Sequence, residues 1–106
     1  MPKYLIAASY TTDGLKGLLK DGGSGRRAAV QKAAESVGAK LETMYYAFGK
    51  YDVILIVDLP DNSTAAAFSL TVNATGAVHT TTTPLLTPEE IDAASKKSIS
   101  YRAPGA

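Results

Sequence analysis

The chain has 106 residues, one histidine and no cysteine, with 11 Lys+Arg against 10 Asp+Glu for a formal net charge of +1. That length suits one domain, which buries roughly two-thirds of its unfolded surface and needs no covalent staple. The missing cysteines exclude disulfides, thiolate metal sites and a cysteine nucleophile, and the balanced charge excludes a global field that gathers nucleic acid or anionic membrane.

Residues 4–10 (YLIAASY) read as a first strand, with Leu5 and Ala7 on one face and Tyr4, Ile6 and Ala8 on the other. Thr12 and Asp13 suit the cap of a short helix carrying Leu15, Leu18 and Leu19. The breaker cluster Asp21-Gly22-Gly23-Ser24-Gly25 predicts a loose break, with Ser24 capping a second helical piece whose stop is Gly38. Residues 40–48 alternate as a strand: Leu41, Thr43 and Tyr45 on one face, Met44, Tyr46 and Phe48 on the other. Gly49-Lys50 predicts a tight hairpin turn with a positive φ at Gly49. Val53 to Leu59 form the next strand, and Pro60-Asp61-Asn62-Ser63 ends it and caps a helix that Gly76 stops. Val78 to Thr83 are β-branched and strand-forming. Thr87-Pro88-Glu89-Glu90 opens a last short helix with cap, proline and capping-box glutamate in place.

The order of elements predicts an α+β fold: a ferredoxin-like βαββαβ with a four-stranded antiparallel sheet, both crossover helices on one face, plus a short C-terminal helix. The domain is expected over 1–97, with 98–106 a flexible tail. Both faces of the third strand are apolar, Val53, Leu55 and Val57 against Ile54 and Ile56. One face meets the helices and the other needs a cover. Another copy of the chain is the expected partner, through the Ile54/Ile56 face or, as the alternative, the Val53/Leu55/Val57 face. No run approaches the length of a membrane span, so no membrane partner and a cytoplasmic location are expected.

The Gly49-Lys50-Tyr51-Asp52 run resembles the Gly-x-Tyr-Asp motif of the GYD-domain family. Tyr10-Thr11-Thr12-Asp13-Gly14, Arg27-Ala28, Gly38, Tyr46, Pro60, Gly76, Val78 to Thr82 and Glu89-Glu90 follow that family's order and spacing. The resemblance implies a ferredoxin-like, dimeric α/β-barrel type of small bacterial protein, and little about its chemistry. The chain departs from the family at Gly22 to Gly25, and it carries His79 where the family leads one to expect arginine.

The ligand-binding candidates are Tyr46, Tyr51, Asp52 and His79. Tyr51 and Asp52 either hold a hairpin or line the rim of a pocket between sheet and helices. A single histidine cannot make a metal site, and a general-base role would need Asp52 or Asp58 beside it. Arg26 and Arg27, in the first turn after a glycine-rich stretch, are anion-binding candidates; no Walker or dinucleotide motif accompanies them. The strand tyrosines could stack on RNA bases as in modules of this topology, but the basic-aromatic consensus of those modules is absent. Met1-Pro2 suggests the amine of a tautomerase, whose later motifs do not fit. The sequence therefore reads as a small oligomeric module that binds a small ligand or serves a regulatory or structural role, with no metal and no cofactor. The alternative is an enzyme of the dimeric-barrel type that uses Tyr46, Tyr51, Asp52 and His79 in a sheet–helix cavity.

Overall fold

The computed structural model describes residues 1–106. The elements run β1 (Lys3–Tyr10), α1 (Thr12–Ser36), β2 (Lys40–Tyr46), β3 (Val53–Asp58), α2 (Asn62–Ala74), β4 (Val78–Leu85) and α3 (Pro88–Ser95). The strands form one antiparallel sheet in the order β2-β3-β1-β4. The expected α+β, ferredoxin-like arrangement with a short C-terminal helix is the arrangement found. No helix is long and apolar enough to cross a membrane.

Strand pleating divides the sheet cleanly. Tyr4, Ile6 and Ala8 of β1 and Val53, Leu55 and Val57 of β3 are buried together with Ala34 of α1 and Ala65 of α2. This is the helix side and holds the core. On the opposite side Leu5 and Ala7 lie beside Ile56 and Ile54 in register, and none of the three helices covers them. The apolar side chains of both faces are thus real, and the Ile54/Ile56 face is the open one; Ile54 is 38% exposed.

Four local expectations change. The cap of α1 is Thr11, not Thr12 or Asp13: its hydroxyl accepts the Gly14 N–H at 3.2 Å. The break near residue 22 is a single residue wide. Gly22 alone leaves the helical region, at φ 77°, and the chain resumes helix through Gly23-Ser24-Gly25, so Ser24 sits inside the helix rather than capping it. At the other end, Gly38 at φ 70° closes α1: its N–H reaches the Glu35 carbonyl and that of Ala39 the Ala34 carbonyl, the two bonds of a Schellman stop.

The alternation of β2 also slips. Leu41 faces Val57 and Thr43 faces Ile56, so Glu42 is an extra residue in a bulge. The bulge moves Leu41 and Met44 onto the same, helix-side core, where strict alternation would separate them. It also frees Glu42 to pair with Lys3 at 3.2 Å, beside the Lys3–Asp58 pair at 2.9 Å.

The connection between β2 and β3 spans residues 47 to 52 rather than two residues. Gly49 is not among the positive-φ glycines, and a Cβ there would meet nothing within 4 Å. Asp52 is the residue that matters. Its carboxylate accepts the Tyr10 N–H at 2.8 Å, its own N–H donates to the Ala8 carbonyl at 2.8 Å, and its carbonyl receives the Ala47 N–H at 2.8 Å. The two ends of the motif should therefore respond differently. Gly49→Ala is expected to stay within about 0.5 kcal/mol of wild type, whereas Asp52→Ala strands a part-buried N–H and should cost about 1–3 kcal/mol. Urea melts of both variants check the contrast.

Candidate functional site

The kink at Gly22 sets the second half of α1 across the helix side of the sheet. There the aromatic ring of Tyr46, at the end of β2, lies against the kink. A Cβ on Gly23 would come within 3.1 Å of that ring, so any side chain there makes the ring give way by a few tenths of an ångström. The Tyr46 hydroxyl closes the contact by donating to the Gly23 carbonyl at 3.1 Å. One helical turn past the kink, Arg26 turns toward the sheet, with Asp21 3.7 Å from its guanidinium.

Behind Arg26 the sheet and helices leave a cavity of about 130 Å³. Its floor is Ile6, Ala8, Tyr10, Met44, Val53, Leu55, Val78 and Thr80, and its roof comes from α1 (Ala29, Val30, Ala33) and α2 (Phe68, Val72). Twelve of the 14 lining residues are hydrophobic, which leaves Arg26 and Thr80 as the polar ones. Thr80 is already occupied. Its hydroxyl accepts from Asn73 at 2.7 Å and its N–H donates to the Asn73 side-chain oxygen at 2.9 Å. Arg26 therefore supplies the one formal charge on an otherwise apolar wall.

The predicted site residues do not converge. Tyr46 stands at the rim of clefts beside the cavity. Asp52 lines one of those clefts, but its carboxylate is engaged by the Tyr10 N–H. Tyr51 lies in the connecting loop under Lys50, whose ammonium is 5.5 Å from the ring centroid. His79 pairs in register with Ser9, and its neighbours Val78 and Thr80 are the residues that face the cavity. Its imidazole is therefore exposed on the open side of the sheet, the face opposite Tyr46, which pairs with the helix-side Val53. Arg27 points outward into shallow clefts with Met44 and Tyr45. No three His, Asp or Glu side chains gather in a way that could hold a metal ion.

Tyr10 was not among the predicted site residues, yet it belongs to the cavity and neighbours Tyr46. Its place was readable from the period of β1, in which residues 4, 6, 8 and 10 share a face.

Residues 4–95 match the GYD domain. The chain belongs to the GYD-domain family. No curated protein and no solved structure matches it. In this GYD domain the Asp of the name-giving motif works at long range, tying the β2–β3 connection to the end of β1 forty-two residues earlier. The motif thus fixes the rim beside which Tyr10 and Tyr46 meet.

Burial, and secondarily the neighbouring Tyr10 hydroxyl, raise the Tyr46 pKa above its ordinary 10.0, against the lowering influence of Arg26 and Arg27. A folded-state pKa above the unfolded one gives stability that is complete below pH 10 and lost as pH rises through the raised value. The domain should therefore lose stability above pH 10 in part through Tyr46, and Tyr46→Phe should flatten that segment of the stability–pH curve. Equal alkaline slopes for the two proteins in denaturant melts would remove Tyr46 from the explanation.

Proposed function

We propose that this GYD domain is a self-associating small-ligand-binding module whose ligand occupies the cavity between the sheet and the two crossover helices. The observation that carries the reading is the cavity itself: an apolar-walled space of about 130 Å³ beside a single arginine, where Thr80 is already bonded to Asn73. Pockets for drug-sized ligands run to about 300–1,000 Å³, so this one fits a fragment-sized molecule. An enzyme using Tyr46, Tyr51, Asp52 and His79 together in the sheet–helix cavity is disfavoured because His79 lies on the face opposite the cavity and Tyr46.

Self-association is supported by surface area. The chain exposes 7468 Å², whereas a compact monomer of its mass exposes about 5,700 Å². The radius of gyration, 16.9 Å, likewise exceeds the roughly 13 Å of a compact domain of this length. The surplus of about 1,800 Å² per chain is what an extensive homodimer interface removes. The C-terminal arm, where Leu86, Ile91, Ile99 and Tyr101 are all exposed, contributes to it.

Ligand binding is tested with toluene, a neutral apolar probe, by thermal shift. Saturable stabilisation is expected, growing with the logarithm of probe concentration above Kd. Ala8→Leu, which pushes three carbons into the cavity floor, should abolish it; Ala33→Leu does the same from the roof if the floor variant does not fold. Unchanged toluene response in both variants would place binding elsewhere and contradict the reading.

A further inference from the structure

We propose that the ligand of this cavity is a small monocarboxylate: a benzene-sized apolar body inside, with its carboxylate held at the mouth by the Arg26 guanidinium. The proposal rests on the reading that the cavity is the binding site, and adds the ligand's charge and size.

Size comes from volume. About 130 Å³ is close to the roughly 150 Å³ of a dry apolar cavity that takes up benzene. Six to eight carbons therefore fill it. Charge comes from the wall. An ionic group carried into the apolar interior would be stripped of water with nothing to replace it, so a charged ligand must keep that group at the mouth. Arg26 is the charged side chain there, and it is 36% exposed. Its contact with Asp21 is 3.7 Å long, beyond the usual range of an N–H···O bond, and leaves the planar donor fork free. That fork matches a carboxylate in geometry.

The surrounding acids do not reverse the sign. Asp13 and Asp21 line the neighbouring cleft with Arg26, and Asp21 is an exposed ion-pair partner that makes no hydrogen bond to it, a contact worth little and one that an incoming carboxylate can replace. Asp52 is nearer the tyrosines, and one of its carboxylate oxygens accepts the Tyr10 N–H. Arg27 adds a second positive charge on the same helical turn. A cationic ligand would have to place its charge beside Arg26; an anion gains from it.

The test uses the full chain with three probes of nearly one shape: phenylacetate, phenylacetamide and toluene, each titrated by NMR. Phenylacetate is expected to bind about 10- to 100-fold more tightly than the amide, the difference made by one charge-assisted hydrogen bond. Arg26→Gln should erase that preference and Arg26→Lys should keep only part of it. Arg102→Gln, which removes the same charge from the tail, should keep all of it. Equal affinity for acid and amide in the wild type, or a preference that survives Arg26→Gln, overturns the proposal. If toluene binds and the acid shows no advantage, the cavity stands as the site and the carboxylate is wrong. If toluene does not bind at all, both readings fall.

Discussion

If copies associate through the open sheet face as proposed, Ile54→Asp is expected to leave monomers, while Val57→Asp, three residues away on the same strand, is expected to abolish folding. The two residues differ only in the face they occupy. Val57 is fully buried against the helices at 0% exposure, and Ile54 is 38% exposed on the open side of the sheet. An aspartate at Val57 has no partner in the core, and burying it uncompensated costs several kcal/mol, a large share of the roughly 5–15 kcal/mol that holds a domain together. An aspartate at Ile54 meets water in the isolated chain. It meets an apolar partner surface only when two copies associate, so the cost falls on assembly. Light scattering should report a multiple of 11.1 kDa for the wild type and the single-chain mass for Ile54→Asp, with circular dichroism separating loss of assembly from loss of fold. A wild type that is monomeric at tens of micromolar, or an Ile54→Asp variant that keeps the wild-type mass, contradicts self-association through this face.

Gly14→Ala is expected to be among the most damaging single-methyl additions in the chain. Gly14 is buried in the first turn of α1, and a Cβ there would lie 1.8 Å from the Ala77 carbonyl oxygen and 3.0 Å from the Tyr10 ring. The obstacle is backbone, which cannot rotate away as a side chain can. The neighbouring contacts are also fixed: the Thr11 N–H donates to the Ala77 carbonyl at 2.9 Å, and the Thr11 hydroxyl to the Gly76 carbonyl at 2.9 Å. Relieving the clash means separating the start of α1 from the start of β4. Overpacking against a rigid neighbour costs about 3 kcal/mol or more, a fall in melting temperature of roughly 10–20 °C for a domain of this size. Gly17, on the same helix, has nothing within 4 Å of its would-be Cβ. Gly17→Ala should therefore be neutral or slightly stabilising, since alanine suits a helix better by up to about 1 kcal/mol. Similar melting temperatures for the two alanine variants would refute the close approach at Gly14.

The elements that sequence could place are those with local signatures. Asp61 caps α2 by accepting the Thr64 N–H at 2.8 Å. Thr87 and Glu90 form the reciprocal capping box of α3. Gly38 and Gly76 end α1 and α2 with positive φ. Each rests on residues a few positions apart. What sequence could not place depends on distant partners. The bulge at Glu42 is set by pairing with β3, and the role of Asp52 by a backbone donor in β1. The glycines of the motif and of the 22–25 cluster look alike in composition, yet only Gly22 needs the left-handed region, and Gly23 instead packs closely under Tyr46. His79 was grouped with the other candidates by chemistry. Strand parity, readable from Val78 and Thr80 on either side, puts it on the opposite face. A sheet–helix cavity could be expected from the topology, but its lining and volume were beyond sequence, because they are set where both helices fail to fill the space above the sheet.

Methyl-resolved NMR of the wild-type chain titrated with toluene tests the central claim most directly, because the two sides of the sheet carry different methyl groups. Val30, Val53, Leu55 and Val78 line the cavity, while Leu5, Ile54 and Ile56 lie on the other face. The cavity site predicts saturable shifts confined to the first set, with the methyls of Ile54 and Ile56 unmoved. Shifts that concentrate on Leu5, Ile54 and Ile56, or that rise without saturation on both sets, would contradict a ligand site between the sheet and its helices.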